Sequence, residues 1–305
     1  MNIKPSNLIE LMDMFPTEES CLEYLSLVRW PEGYECVRCT KKNAFKLGNG
    51  LYRCQSCKYE GSVISGTLFQ DTHKPMRLWF QTIWYIVSQK YGVSALGLQK
   101  ELGFGSYHTA WEWLHKLRRA MVRPDRDKLS GIVEVNETFI GGEKSGKRGR
   151  GADGKTLVLV ATENTSGSIG RIRLSPVSDS SGGVLTGAIQ QMVSMGSTIH
   201  TDGWPGYSGL DSLGYVHLSM SNHNVKNEDM VERTHLVASL LKRWLVGTHH
   251  GAISHKNLPY YLDEFTFRFN RRKSRSRGKL FYQLIQQALT IDPVPAKSLY
   301  TTCSS

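Results

Sequence analysis

The residues of this chain whose types and spacing suit chemistry are four cysteines and a few dispersed acids. Cys36-x-x-Cys39 and Cys54-x-x-Cys57 form two tight pairs separated by fourteen residues. A CxxC turn brings two thiolates to one point, and Zn²⁺ takes four soft ligands in a tetrahedron, so the four predict a structural zinc site. Paired disulfides are the alternative use of such cysteines, and they belong to oxidising compartments. Cys21 and Cys303 have no partner pattern and read as ordinary thiols.

The acids sit in three short segments, VEVNETFIGG (133–142), HTDGWPGY (200–207) and VERTHLVASLLKRW (231–244). The first reads as a strand, the second as a strand end and the third as a helix. Asp202 directly follows a strand, and Glu232 lies on the helix. Acids brought together from separate elements suit phosphodiester cleavage. That reaction needs an activated water or 3′-hydroxyl and a stabilised leaving oxygen, and two Mg²⁺ ions held by carboxylates supply both. The bland readings are a turn aspartate before Gly-Trp and a solvated helix face. On the helix, at 100° per residue, Ser239 and Arg243 fall within about 20° of Glu232, and His235 and Lys242 lie roughly 60–80° to one side. Leu236, Leu240, Leu241 and Leu245 are expected to pack inward.

The elements that must position these groups fall into four stretches. Residues 1–70 hold an N-terminal helix capped by Thr17, with Glu18 and Glu19 in its first turn, and then a zinc ribbon. Strands are expected before each pair, at GYEC and LYRC. Residues 71–128 read as three helices, with Leu78, Trp79, Ile83, Trp84 and Val87 as one apolar stripe. A short helix ending near Gly103 and a longer one opened by Ser106 make a helix-turn-helix pattern. Tyr107, His108, Thr109, Glu112 and Lys116 are expected to face outward, and Arg118, Arg119, Arg123 and Arg126 to add charge. A plain helical linker is the competing reading.

Residues 129–292 alternate strands and helices. IVEVNETFI, KTLVLVATE and GRIRLSPV read as strands, followed by a helix at GGVLTGAIQQMV, a strand at STIHTD and a fifth at GYVHLSM. Helices follow from about Glu228 to Trp244 and from Lys256 to Arg271. GGEKSGKRGRGADGK is a glycine-rich basic loop. This order matches a ribonuclease-H-like fold with a mixed sheet, so the fold class is multidomain α+β and α/β. Residues 293–305 read as a frayed tail.

Charge names the partner class. The 305 residues carry a formal net charge of +11, and the pI is about 9.3, which favours a polyanion, nucleic acid before anionic membrane. RFNRRKSRSRGK (268–279) holds seven Lys/Arg in twelve residues. Used together on phosphates, they would give a log–log salt slope of roughly −6. His249, His250 and His255 fit no common zinc spacing and read as loop or DNA contacts. No apolar run reaches the roughly 18 residues of a membrane span, and the start lacks a signal-peptide pattern. The expected location is cytoplasmic, on the bacterial nucleoid when bound to DNA.

Several strings resemble one known group, the insertion-sequence transposases of the ISXO type, called family fifteen-ninety-five. They are FPTEESCLEYLSLVRWPEGYECVRC, the second CxxC, VEVNETFIGG, HTDGWPGYSGL, SLLKRWLVGTHH and YYLDEFTFRFNRR. The resemblance implies a zinc ribbon joined to a DDE-type ribonuclease-H-like domain. It also implies Mg²⁺- or Mn²⁺-dependent cleavage and strand transfer by two ions, terminal inverted repeats and target DNA as double-stranded partners, and a homo-oligomer on paired ends. Carried over by position, the family's first aspartate falls on Asn136, the second on Asp202 and the third acidic or amide position on Glu232. The basic residue on the same helix falls on Lys242, as a grip on phosphate. Arg243, Arg271, Arg272, Lys273 and Arg275 are the accompanying candidates for DNA contact.

Asn136 departs from that pattern. An amide offers one neutral oxygen where a carboxylate offers two charged ones. Glu134 shares its strand face but lies about 6.5–7 Å away, and Glu137 points to the other face. Natural decay, a deliberate Asp→Asn change and a site that tolerates asparagine all fit the sequence. The rival from another class is a DNA-binding derivative without catalysis. A nuclease that hydrolyses without strand transfer is the third reading.

Overall fold

A computed structural model describes residues 4–123, 126–141, 155–219, 231–249 and 253–300. Most of the glycine-rich basic loop, the stretch before Val231, His250 and Cys303 lie outside the described residues. The chain divides into two compact units, residues 1–123 with 274–305, and residues 124–273. The second boundary differs from the expected 129–292 domain. The cause is α9 (Arg277–Thr290), whose buried Leu280, Phe281, Leu284 and Ile285 form part of the first unit's core.

The first unit begins with α1 (Leu8–Met14), which composition did not reveal, and α2 (Glu18–Arg29). Thr17 caps α2 as expected, and Ser20 closes a reciprocal capping box. The helices α3 (Met76–Ser88), α4 (Ala95–Leu102) and α5 (Tyr107–Ala120) follow where the apolar spacing placed them. Pro75 gives α3 no side-chain cap, so Glu18 of α2 does this work: its carboxylate accepts from the Met76 N–H at 2.8 Å. Phe15, Tyr24, Phe80 and Phe281 meet mostly edge to face, with Phe15 and Phe80 centroids 4.8 Å apart.

Gly103 adopts φ +67° to end α4, and Ser106 caps α5, which gives the turn its two ends. The pair is held on α3 by Trp79 stacked on Trp113 at 3.5 Å. Tyr107 and His108 are exposed, as expected. Arg118 is not: it is buried beside His115, 3.4 Å away, and adds no surface charge. Residues after Pro293 are not frayed throughout, because α10 (Ala296–Tyr300) forms and Leu299 is buried.

The second unit is a five-stranded mixed sheet between helices. Its strands are β4 (Ile132–Ile140), β5 (Thr156–Thr165), β6 (Ser168–Val177), β7 (Thr198–Thr201) and β8 (Val216–Ser219), numbered after three ribbon strands. Their order is β6-β5-β4-β7-β8, antiparallel on one side of β4 and parallel on the other. Alternation decides the faces. Val133, Val135, Leu159 and Ala161 pack on Leu185 and Ile189 of α6 (Gly182–Met192). Val158, Val160, Ile172 and Leu174 pack on α7 (Glu232–His249) and α8 (Leu258–Asn270). This is the ribonuclease-H-like arrangement. On α7 the inward residues are Val237, Leu241 and Leu245, while Leu236, expected inside, is exposed.

Replacing Leu299 by alanine is expected to cost about 2–5 kcal/mol, the range for a fully buried leucine. A urea unfolding curve unchanged from the parent would restore the frayed-tail reading.

Candidate active site and metal centre

The ribbon comprises β1 (Ala44–Lys46), β2 (Tyr52–Cys54) and β3 (Glu60–Gly61), paired antiparallel. LYRC supplies β2, but GYEC is not a strand. Its backbone is used in a knuckle, where Thr40 N–H donates to Cys36 O and Cys36 N–H to Lys41 O. Tyr34 instead stacks on Tyr52, with centroids 5.4 Å apart.

All four sulfurs of Cys36, Cys39, Cys54 and Cys57 lie within 4.8 Å of one another. The Cys36–Cys57 and Cys39–Cys54 sulfurs are 3.6 Å apart. That is far beyond a disulfide bond of about 2.05 Å. It is close to the edge of about 3.8 Å that Zn–S bonds of 2.3 Å give a tetrahedron. Burial disfavours the Cys36 thiolate, but backbone N–H groups of Arg38 and Cys39 donate to it and bring its pKa down to about 6. The donor set therefore fits Zn²⁺, and Cys21 lies buried and free elsewhere. Arg53 of the ribbon faces Glu60 at 3.4 Å, so part of the ribbon's basic charge is offset locally.

The acidic segments meet in the second unit. Asn136 lies in the middle of β4, buried, on the face that packs against α7. The parallel pairing of β4 with β7 matches Val133 to Ile199 and Glu134 to His200. That pairing ends at Glu134 and His200, two residues before Asn136 on one strand and two before Asp202 on the other. Asp202 is exposed just past Thr201, and its carboxylate accepts from the Trp204 N–H at 3.0 Å. Gly203 takes φ +88° to make the turn, which a residue with Cβ resists. Any Cβ on Gly206 would press on the Trp204 ring and the Ser180 carbonyl. The HTDGWPGY string is thus a tight loop whose shape needs its glycines.

Two glutamates flanking Asn136 fasten the neighbouring elements. The Glu137 carboxylate accepts from the Tyr207 hydroxyl at 2.5 Å, tying the Asp202 loop to β4. Glu134 accepts from the Arg233 backbone N–H at 2.9 Å and the Arg233 guanidinium at 2.6 Å, tying the start of α7 to β4. Glu134 is buried; burial pushes its carboxyl pKa up, and Arg233 opposes that shift. Neither glutamate is placed to stand in for Asn136.

Glu232, the first residue of α7, is exposed beside the fastened Arg233. His235, one turn later, has its Nε2 3.4 Å from the Asn136 Nδ2, while Asn136 Oδ1 accepts from the Glu137 N–H at 2.8 Å. Helical spacing sets His235 to one side of Glu232. The Glu-x-x-His spacing, which puts both side chains near one helix face, was the available signal. Among the described residues, the four cysteines form the one group of three or more Cys, His, Asp or Glu close enough to share an ion.

The basic candidates are dispersed. Lys242 and Arg243 are exposed on α7. Arg271 donates to the Phe267 carbonyl and covers its ring. Arg272 donates to the Gly170 and Phe269 carbonyls and lies over the Phe269 ring. Those two hold the end of α8 in place, and Arg268 pairs with Glu264 at 2.8 Å, so the run 268–279 is not seven free cations. Lys273 and Arg275 are exposed. His249 ends α7 against the Trp244 and Tyr261 rings, rather than standing in a loop.

Two measurements follow from these geometries. Elemental analysis of the purified chain should give one zinc per chain, falling below half in the Cys39→Ser/Cys57→Ser variant; full occupancy in that variant would remove the ribbon assignment. Arg233→Met should destabilise by about 3–5 kcal/mol, because it strands a buried carboxylate. Adding Glu134→Gln should recover most of that loss in chemical denaturation, and a double variant no more stable than the single one would show that the pair acts otherwise.

Comparison with known proteins agrees with this arrangement. A transposase zinc-ribbon domain matches residues 16–60, and an ISXO2-like transposase domain matches residues 128–270. A protein of Halobacterium salinarum, described as an uncharacterized protein in transposable element ISH50, is 26% identical over 289 residues. The match covers 87% of this chain and 94% of that one. The two domains together span more than half of the chain, in the order ribbon then sheet, and the chain belongs to the ISXO2-like family of insertion-sequence transposases.

Proposed function

We propose that the chain binds the terminal inverted repeats of its insertion sequence and cuts and joins DNA there, at a Mg²⁺- or Mn²⁺-dependent site of Asn136, Asp202 and Glu232. The observation that carries this reading is the parallel β4–β7 pairing, which runs to Glu134 and His200, two residues short of Asn136 and Asp202, with the start of α7 fastened to β4 by Glu134 and Arg233. When bound, two metal ions would activate the attacking oxygen and stabilise the leaving one. Asp202 and Glu232 supply negative charge from two elements. Asn136 supplies one neutral oxygen, which weakens the site relative to a carboxylate. In the present geometry its oxygen faces the Glu137 N–H and its amide nitrogen faces His235. An aspartate there would offer an oxygen in both directions. His235 adds a nitrogen donor, and imidazole suits transition metals better than Mg²⁺.

Lys242 and Arg243 follow Glu232 along α7 and would grip phosphates of the end DNA, joined by Arg271, Arg272, Lys273 and Arg275. Ribbon and helix-turn-helix would read the inverted repeat, and pairing of two ends would bring two copies of the chain together. No described helix is long and apolar enough to cross a membrane. The second reading, a DNA-binding transposase derivative without catalysis, is favoured by Asn136 and by the absence, among the described residues, of an acidic cluster close enough to share an ion.

Cleavage of end DNA decides between them. Asn136→Asp should raise the rate at low Mg²⁺ by about 10–100-fold, the scale of lost ligand support, and narrow the advantage of Mn²⁺. Asp202→Ala should abolish cutting in both backgrounds while DNA is still bound. Cutting that survives Asp202→Ala would refute the site. Absence of cutting by the parent and by Asn136→Asp would leave the binding-only reading.

A further inference from the structure

Beyond the acidic centre, the same unit holds a cavity of about 440 Å³ between the ends of β4 and β5, the middle of α7 and the segment entering α8. Its walls are of two kinds. Ile140, Leu245, Val246 and Leu258 give it apolar lining, and Val246 is 63% exposed. Lys155 and Lys242 give it cationic lining, and among the described residues neither has a carboxylate partner. Partial burial of its stem and the charge of Lys155 both hold the Lys242 ammonium below its ordinary pKa. Two like charges held at one mouth without a counter-charge favour an anion. A bare phosphate would leave the apolar lining unused, and an apolar ligand would leave the ammoniums unmatched. A nucleotide has both parts, and the volume lies in the usual range of roughly 300–1,000 Å³ for pockets that enclose organic ligands.

We infer that this cavity receives a single unstacked nucleotide of the bound DNA, its base against Ile140, Leu245, Val246 and Leu258 and its phosphate between Lys155 and Lys242. The inference rests on the DNA-binding reading above. A paired base shows only its edge in a groove, so the base must leave the stack to enter, as in enzymes that hold an extruded base between apolar side chains. Position supports the assignment. Ile140 lies four residues beyond Asn136 on β4, about 13 Å along the strand. At 3.4 Å per base step, the captured nucleotide lies roughly four steps from the reacting phosphate.

Fluorescence anisotropy with the full chain tests this, using a short labelled duplex and the same duplex carrying one extra unpaired thymidine. The unpaired base enters without the cost of breaking a pair, so the bulged duplex should bind about tenfold more tightly. The preference should fall to about one in Val246→Trp, which fills the mouth, and should drop in Lys155→Ala, which keeps the test open if the first variant fails to fold. Equal affinity of the parent for both duplexes overturns the cavity assignment alone. So does an undiminished preference in variants whose thermal melts match the parent. No binding of either duplex overturns the DNA reading on which the assignment rests.

Discussion

The second unit depends on how β4 uses the residues on either side of Asn136. Glu134 and Glu137 point to opposite faces of the strand, and each spends its carboxylate on a neighbouring element. Glu134 holds the first turn of α7, and Glu137 holds the loop after β7. Both contacts fix an element beside position 136. A buried carboxylate is costly unless it is paired and hydrogen-bonded, and Arg233 does both for Glu134. Both carboxylates are thus already engaged by protein groups. The residue at position 136 is met by those that face it, and among the described residues His235 is one of these.

The first unit solves a different problem with similar means. Its ribbon is too small to hold an apolar core, so four sulfurs within 4.8 Å supply the cross-link. Its helices are joined by long-range caps and ring contacts, such as Glu18 on the start of α3 and Trp79 on Trp113. Helix α9, nearly two hundred residues later, completes that core with Phe281, Leu284 and Ile285. The chain thus leaves the first unit, builds the sheet domain as an insertion, and returns. The rigid Arg271 and Arg272 contacts at the end of α8 mark the point of return. Charge that looked available for DNA is partly used to hold that corner.

Much of the arrangement was legible from local pattern. The CxxC pairs, the alternation in IVEVNETFI, KTLVLVATE and GRIRLSPV, and the helix signals at Ser106 and Thr17 all act over a few residues. Local rules capture these because the physics is local: a turn, a pleat, a cap. The errors share the opposite cause. GYEC has strand composition, but its amides are claimed by the knuckle around Cys36. Arg118 has the composition of a surface residue, but it is buried beside His115. The residues after Pro293 look like a tail, yet Leu299 finds a buried place.

By itself, the sequence determined the ligand types, the order of the elements, the family resemblance and the presence of an asparagine where the pattern has an aspartate. Those are properties of residue identity and short spacing. Only the tertiary structure decided that β4 and β7 pair in parallel just before Asn136 and Asp202, that Glu134 and Glu137 are already engaged, and that His235 faces position 136. It also decided that α9 belongs with the first unit. Each of these depends on strand register or on contacts between residues about seventy or more positions apart, and spacing along the chain carries no information about either.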